Sequence, residues 1–416
     1  MADIRPFQAI RPANGLEART AALPYDVYSR EEAYVQAAKD RMSFLNIDRP
    51  ETQFEASADM YAPEVYEKAR DMIEERLTKG EFVQDREKMY YLYEMTMERR
   101  TQTGLVACVS IDDYRNRVIR EHENTRADKE QDRICHVDVC SMQTGPVFLA
   151  YARNEEIQRI IAKVRRQEPY FDFVSSDGVR QRGWCIAQSQ DIETITEKFK
   201  EIRSLYIADG HHRAASSVKV GMKRRGSYRD YDGTEEFNYF LAVLFPHDEL
   251  KILDYNRAVK DLNGLSQEEF LELVSKRFEI RKCTQMQKPQ QKGTFSMFLA
   301  DGWYLLRFRS EYRKDDPVGC LDVSVLQNEI LDPILGITDP KNDPRITFIG
   351  GIRGLEELER RVQMDCAAAF ALYPTSIEEL FAVADADLLM PPKSTWFEPK
   401  LRSGLFLHKI EKDTKN

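Results

Sequence analysis

The sharpest chemical feature of the sequence is the run Asp209-Gly210-His211-His212-Arg213. It follows apolar Leu205-Tyr206-Ile207-Ala208 and precedes apolar residues at 214, 215, 218 and 222, a helical spacing. The pattern predicts strand, turn, helix. Asp209 then ends a buried strand, Gly210 permits the sharp turn, and His211, His212 and Arg213 fill the first helical turn. A helix N-terminus offers free amides and about half a positive charge, which suits phosphate. Arg213 adds a fork that grips phosphate bidentately. Asp209 can hold Mg2+ or accept a hydroxyl proton. The plainer reading is a turn whose histidines cap and pack. A zinc site fits poorly, because helical neighbours point about 100° apart and no third ligand stands at metal spacing.

Four other groups carry charge or hydroxyls in suggestive places. Arg120-Glu121-His122-Glu123-Asn124-Thr125 ends a strand or hairpin, and Lys129, Asp132 and Arg133 share one face of the helix after it. His122 and Glu123 are candidates for acid–base work; a solvated charged helix is the plainer alternative. Gly350-Gly351-Ile352-Arg353-Gly354 is a glycine-rich turn whose amides, with Arg353, can cradle phosphate. It matches neither the P-loop nor the dinucleotide pattern. Met390-Pro391-Pro392-Lys393-Ser394-Thr395 sets a lysine and two hydroxyls on a stiff approach that suits an anion. Asp26, in Leu23-Pro24-Tyr25-Asp26-Val27, stands at a turn before a helix and is a candidate substrate contact. The basic residues Lys219, Lys223, Arg224, Arg225 and Arg229 read as a solvated helix face, with anion attraction as the lesser reading.

The elements that must position these groups alternate irregularly. Strands are expected at Asp3–Arg11, 89–95, 103–111, 146–151, 205–208, 238–245 and 251–256. Helices are expected after Ser29, over Ala62–Thr78 to a stop at Gly80, over 126–141, 155–166 and 191–203, and after the 209–213 turn to a C′ glycine at Gly226. Further on come helices at 266–278, 323–335 and 355–364, and one capped by Thr375 with Glu378. Hairpins fall at 89–111 and 295–309, and the polar stretch 283–294 reads as a flexible loop. This is a mixed α+β protein. At 416 residues it is long enough for two or three domains, placed at 1–125, 126–262 and 263–416.

Composition narrows the function classes. With 61 Lys and Arg against 70 Asp and Glu the formal charge is −9, which lacks the basic footprint of nucleic-acid binding. The longest apolar run, Cys366 to Tyr373, is far short of the 18 or so residues of a membrane span. The N-terminus has no apolar signal segment, so a cytoplasmic address is expected. Seven cysteines, none in a Cys-x-x-Cys pair, read as reduced small hydrophobes.

Several of these motifs together resemble the domain-of-unknown-function family numbered ten-fifteen. They are Ile4-Arg5-Pro6-Phe7, the Leu-Pro-Tyr-Asp-Val at 23–27, Ser43-Phe44-Leu45 and His122-Glu123-Asn124-Thr125, followed by Ala208 to Arg213, Asn256-Arg257 and Met390 to Thr395. They run in order along nearly the whole chain. The Asp-Gly-His-His-Arg turn is also similar to that of the ParB/sulfiredoxin-like fold, whose free-serine kinases transfer phosphate to the hydroxyl of L-serine. That resemblance implies a ParB/sulfiredoxin-like core with added mixed-sheet segments. It makes Asp209, His212 and Arg213 the catalytic and phosphate-binding residues, with Gly210 and His211 in the phosphate cradle. His212 or Glu123 would take the hydroxyl proton, Glu123 being chosen on its neighbours alone. Lys393, Ser394, Thr395 and Arg353 would help hold the donor, and Asp26 and Asn256 would meet substrate. The expected activity is phosphorylation of a small hydroxylated metabolite, L-serine above others, with Mg2+ and ATP, ADP or pyrophosphate as donor. A homo-oligomer is compatible with this. A ParB-like nucleotide-binding switch and a phosphoester hydrolase are the alternatives.

Overall fold

The computed structural model describes residues 1–411. The chain divides into two compact units, Met1–Leu250 with the segment from Pro399 onward, and Lys251–Glu398. Expected boundaries at 125 and 262 do not coincide with this division. Strands from either side of residue 125 hydrogen-bond in one sheet, so nothing separates there.

The first unit is built on a nine-stranded mixed sheet: β1 Ile4–Arg5, β2 Tyr90–Met97, β3 Arg100–Ser110, β4 Ile119–Arg120, β5 Val147–Tyr151, β6 Phe171–Val174, β7 Arg180–Ile186, β8 Leu205–Asp209 and β9 Tyr239–Pro246. Their order is β4-β8-β5-β9-β3-β2-β7-β6, with β1 also on β3. β8 runs parallel to β4 and antiparallel to β5. β2 and β3 form the expected hairpin, its link carried by Glu98 at φ 56°. Aliphatic side chains such as Leu92, Leu105, Leu149, Ile207 and Leu244 fill its core. β6 and β7 lie in a stretch that the sequence pattern leaves unassigned. β7 reads Arg-Gln-Arg-Gly-Trp-Cys-Ile, and its polar residues hide the alternation of a strand.

The longer helices of this unit are α1 Arg30–Ala37, α2 Pro63–Thr78, α3 Ala127–Cys140, α4 Glu155–Val164, α5 Ser189–Glu201 and α6 His211–Ser227. Local chemistry sets their ends. Ser29 and Glu32 close a capping box on α1, Pro63 opens α2 at its first turn, and Gly80 at φ 68° follows its end. α6 runs through Gly226, the expected stop, and ends one residue later at Ser227. The N-terminal strand is two pieces, Ile4–Arg5 and Ile10–Pro12, because Pro6 has no amide to give a ladder.

The second unit holds a six-stranded sheet of β10 Tyr255–Val259, β11 Phe278–Lys282, β12 Thr294–Leu299, β13 Gly302–Phe308, β14 Ile346–Gly350 and β15 Ala368–Leu372, in the order β11-β13-β12-β15-β10-β14. The apolar run at 366–373 thus holds the buried inner strand β15. The helix expected at 323–335 is a short α-helical turn, Asp322–Leu326, passing into a π-turn over Gln327–Leu331. The helix Ile377–Asp385 is capped by Ser376 with Glu379. Thr375 instead donates its hydroxyl to the Ser394 carbonyl. The polar stretch 283–294 is tied down at its end, where Gly293 N–H donates to the Asp322 carboxylate at 2.9 and 3.0 Å. All seven cysteines are free thiols. Among the described residues no helix is long and apolar enough to cross a membrane.

Candidate active site

β8 delivers Leu205 to Ala208 buried and Asp209 at its open end. The register shifts between Ile207 and Asp209, a bulge just before the strand ends, and Asp209 still pairs with Phe148. Gly210 then takes φ 92° and ψ 32°, a left-handed conformation that costs an L side chain about 1–2 kcal/mol. Helix α6 starts at His211. The strand–turn–helix expectation for 205–213 holds.

The Asp209 carboxylate is gripped from two sides. Gly210 N–H donates to Oδ1 at 2.8 Å, and Lys400 Nζ donates to Oδ2 at 2.7 Å. Its side chain stays 38 % exposed, so a ligand can reach it. Crowding by protein atoms opposes ionisation. The Lys400 ammonium, helped by Arg213 and His211, outweighs it and holds the carboxyl well below the ordinary range. Lys400 lies 191 residues away in sequence, among Glu398, Pro399 and Leu401 with no motif around it. It was not legible in the sequence. The C-terminal segment brings it in, pairing at Ser403 with Ala22 and at Leu407 with Ile10.

Arg213 commits one guanidinium N–H, from Nη1 to the Pro146 carbonyl at 3.0 Å. Its other N–H groups have no partner among the described residues, leaving a partly free fork. Arg213 also packs over the Tyr25 ring at 5.6 Å, whose centroid lies 4.2 Å from the Arg133 guanidinium. Asp26, Asp209, Gly210 and Arg213 line one narrow crevice. This places the sequence candidate Asp26 beside the turn.

The histidines divide by role. His211 is 6 % exposed and stands edge-to-face with His122, ring centroids 4.6 Å apart. Burial draws His211 down to about 4, against the pull of Asp209. Burial and His211 draw His122 down to about 3. Both rings are therefore neutral near pH 7. The Nε2 of His211 is buried with no hydrogen-bond partner among the described residues. His212 accepts the Arg126 backbone N–H at Nε2, 2.9 Å. An amide can only donate, so that lone pair is spent and cannot take a proton from substrate. His212 ties the 122–126 strap to α6. Thr125 Oγ1 ties the same strap to Glu130 at 2.6 Å, and Glu130 also pairs with Lys219. Glu123 lies on this strap, half-buried, its carboxylate unpartnered among the described residues.

The remaining candidates belong to the second unit. Asn256 is fully buried: Nδ2 donates to Asp254 Oδ2 at 2.6 Å and Oδ1 accepts the Leu372 amide at 3.0 Å. The expected substrate contact is spent on joining strands. Ser394 is buried, and its hydroxyl donates to the Pro391 carbonyl at 2.6 Å. Thr395 follows it, half-buried. Lys393 is exposed at φ 60°, with its carbonyl accepting from Arg257 Nη2 at 2.9 Å. Arg353 is exposed. The glycines beside it serve packing. A Cβ on Gly350 would stand 2.8 Å from the Trp396 ring, and one on Gly351 2.4 Å from the Asp254 carboxylate. The Gly351 and Gly354 amides are already bonded, to the Asp254 and Gly351 carbonyls.

No group of three His, Cys, Asp or Glu side chains is placed to hold a metal among the described residues. Asp209 alone fits Mg2+, which commonly takes one or two carboxylates and completes its shell with phosphate oxygens and water.

The family described as "Protein of unknown function (DUF1015)" matches residues 4–324. Comparison with curated proteins gives no significant match. Among solved structures, the fold is similar to a free serine kinase in complex with AMP (12 % identity, TM-score 0.36, 74 % of this chain and 91 % of that one). It is also similar to a variant of a free serine kinase in complex with ADP (12 % identity, TM-score 0.38, 76 % and 94 %). A third is SbnI with a C-terminal truncation from Staphylococcus aureus (11 % identity, TM-score 0.37, 74 % and 90 %). Likeness at this level assigns no activity by itself.

Proposed function

The chain belongs to the DUF1015 family, and from the geometry of the 209–213 turn we propose that it is a phosphotransferase acting on the hydroxyl of a small metabolite. One observation carries this reading. A carboxylate held ionised between a lysine and an amide stands at a helix N-terminus beside a half-free arginine fork. Such a set serves phosphoryl transfer, where positioning and electrostatic stabilisation do most of the work. The motif resemblance of the turn makes L-serine the acceptor to test first, gives a nucleotide or pyrophosphate as donor, and includes a ParB/sulfiredoxin-like core around the turn.

In this reading Arg213 and the α6 amides bind donor phosphate. Asp209 would hold Mg2+, whose charge would offset that of the donor phosphate. Lys400 keeps Asp209 ionised and aimed before the donor arrives. Glu123 takes the hydroxyl proton, since His212 Nε2 is already engaged. His212 and Glu130 hold the strap that carries Glu123.

Phosphorus-31 NMR on the purified protein with Mg2+, L-serine and, in separate tubes, ATP, ADP or pyrophosphate tests the proposal. O-phosphoserine in one tube, lost in Asp209→Ala, is the expected result. Phosphate release independent of serine points to a hydrolase. Intact donors that still bind point to a nucleotide switch. Either outcome overturns the transferase.

A further inference from the structure

The first unit contains a cleft of about 260 Å3 beside the site, bounded by the Tyr25–Arg30 turn and the first turns of α3. Most of its charged lining is already satisfied. Arg49 pairs with Glu51 at 2.6 Å, and Arg133 with Asp132 at 2.9 Å. Arg30 Nη2 donates to the Ala58 carbonyl at 2.6 Å. Its charge has no carboxylate partner among the described residues, and its Nε is buried without a hydrogen bond. Asp26 and Lys129, one of each sign, hold no side-chain ion pair or hydrogen bond among the described residues. Lys129 also stands in the first turn of α3, where a cation opposes the helix dipole. Helix stability does not account for it.

Asp26 lines both this cleft and the narrow crevice of Asp209, Gly210 and Arg213. A ligand in the cleft that touches Asp26 therefore stands next to the reacting turn. A carboxylate there repels the donor's phosphates and attracts an ammonium. Lys129, which lines the same cleft, attracts a carboxylate.

We propose that this cleft is the acceptor subsite and selects an α-amino acid zwitterion, Asp26 taking the ammonium and Lys129 the carboxylate. The proposal rests on the phosphotransferase reading for its context, but binding alone can test it. Unpaired opposite charges lining one cleft are a recognition pattern whose strength comes from rejecting ligands that leave one of them unmet.

The experiment is isothermal titration of the whole protein, without donor, with L-serine, ethanolamine (no carboxylate) and 3-hydroxypropionate (no ammonium). Wild type, Asp26→Asn and Lys129→Met are compared, with thermal melts to check folding. Wild type should bind serine at least tenfold more tightly than either analogue. K129M should lose that preference over ethanolamine, and D26N over 3-hydroxypropionate. Serine binding with this pattern but no phosphoserine would sink the transferase and leave the subsite standing. Phosphoserine formation with an unchanged KM in both variants would sink the subsite and leave the transferase. Absence of serine binding, or equal binding of all three ligands, overturns the proposal.

Discussion

Two turns in this protein look alike in sequence and do different work. Each ends an apolar strand, bends at glycine, carries an arginine and leads toward a helix: Asp209 to Arg213 in the first unit, Gly350 to Gly354 in the second. At the first, the glycine is needed for its positive φ and a Cβ there would meet nothing closer than 3.6 Å. Its aspartate is paired but still accessible, and its arginine is largely uncommitted. At the second, Gly350 and Gly351 are needed because Trp396 and Asp254 press against them, and the Gly351 and Gly354 amides already serve carbonyls. Glycine marks both a backbone that must bend and a backbone that must be approached. Which donors are left over decides whether a turn can bind phosphate.

The largest effects should come from charge at the first turn. Lys400→Met leaves Asp209 without its cation, and Arg213→Met removes the free fork. Each should lower phosphotransfer on the order of 100-fold, the scale of losing one preorganised electrostatic contact. Arg353→Met in the second turn should cost less than about twofold. Steady-state rates of the three variants check this. Equal losses in R213M and R353M would make the second turn a phosphate site and end the contrast.

Alanine at the glycines should cross over. Gly351→Ala drives a Cβ into Asp254 and should cost about 1–3 kcal/mol of stability. Gly210→Ala meets no clash and pays only backbone strain of about 1–2 kcal/mol, yet shifts the Asp209 carboxylate and should lose more activity than G351A. Denaturant titration beside rate measurement reads both axes. If G210A is the less stable and the more active of the pair, the roles assigned to the two glycines are wrong.

Much of the frame was legible from periodicity. The 205–227 strand–turn–helix, the hairpin of β2 and β3, α2 and α3 all show apolar spacing strong enough to place them within a few residues. What was hidden depends on contacts distant in sequence. β7 carries polar residues because Glu94, fully buried on β2, pairs with Arg182 and Arg165, so the strand lacks an alternating pattern. Asp209, Arg213 and Asp26 could be chosen from residue type and local turn chemistry. Lys400 could not, since nothing near it marks it and only the returning C-terminal segment brings it to Asp209. Asn256 and Ser394 misled in the opposite way: polar side chains in a conspicuous motif proved to be tying strands and turns. The choice of base narrows to Glu123 for a local reason, the Arg126 amide on His212 Nε2.

The smallest expected effect separates the two units by pH. In the first unit, burial holds His122 and His211 at about 3 and about 4, below the ordinary 6.5. The unfolded chain binds their protons first as pH falls, so their contribution is complete above about 6.5 and is lost on acidification toward 4. In the second unit, burial pushes the Asp322 carboxyl up to about 7, against the Gly293 amide that bonds it. The sign reverses. The folded state holds that proton longer than the unfolded chain, so stability is lost as pH rises from about 4 to 7. Hydrogen exchange followed by mass spectrometry between pH 5 and 7, corrected for intrinsic rates, should show Asp322→Asn flattening the pH dependence of the second unit by about 1–2 kcal/mol. His211→Asn should flatten the opposite slope in the first. A protein whose two units shift together with pH, unmoved by either variant, would mean that these groups are solvated in the folded state and that the burial holding the site's histidines neutral is absent.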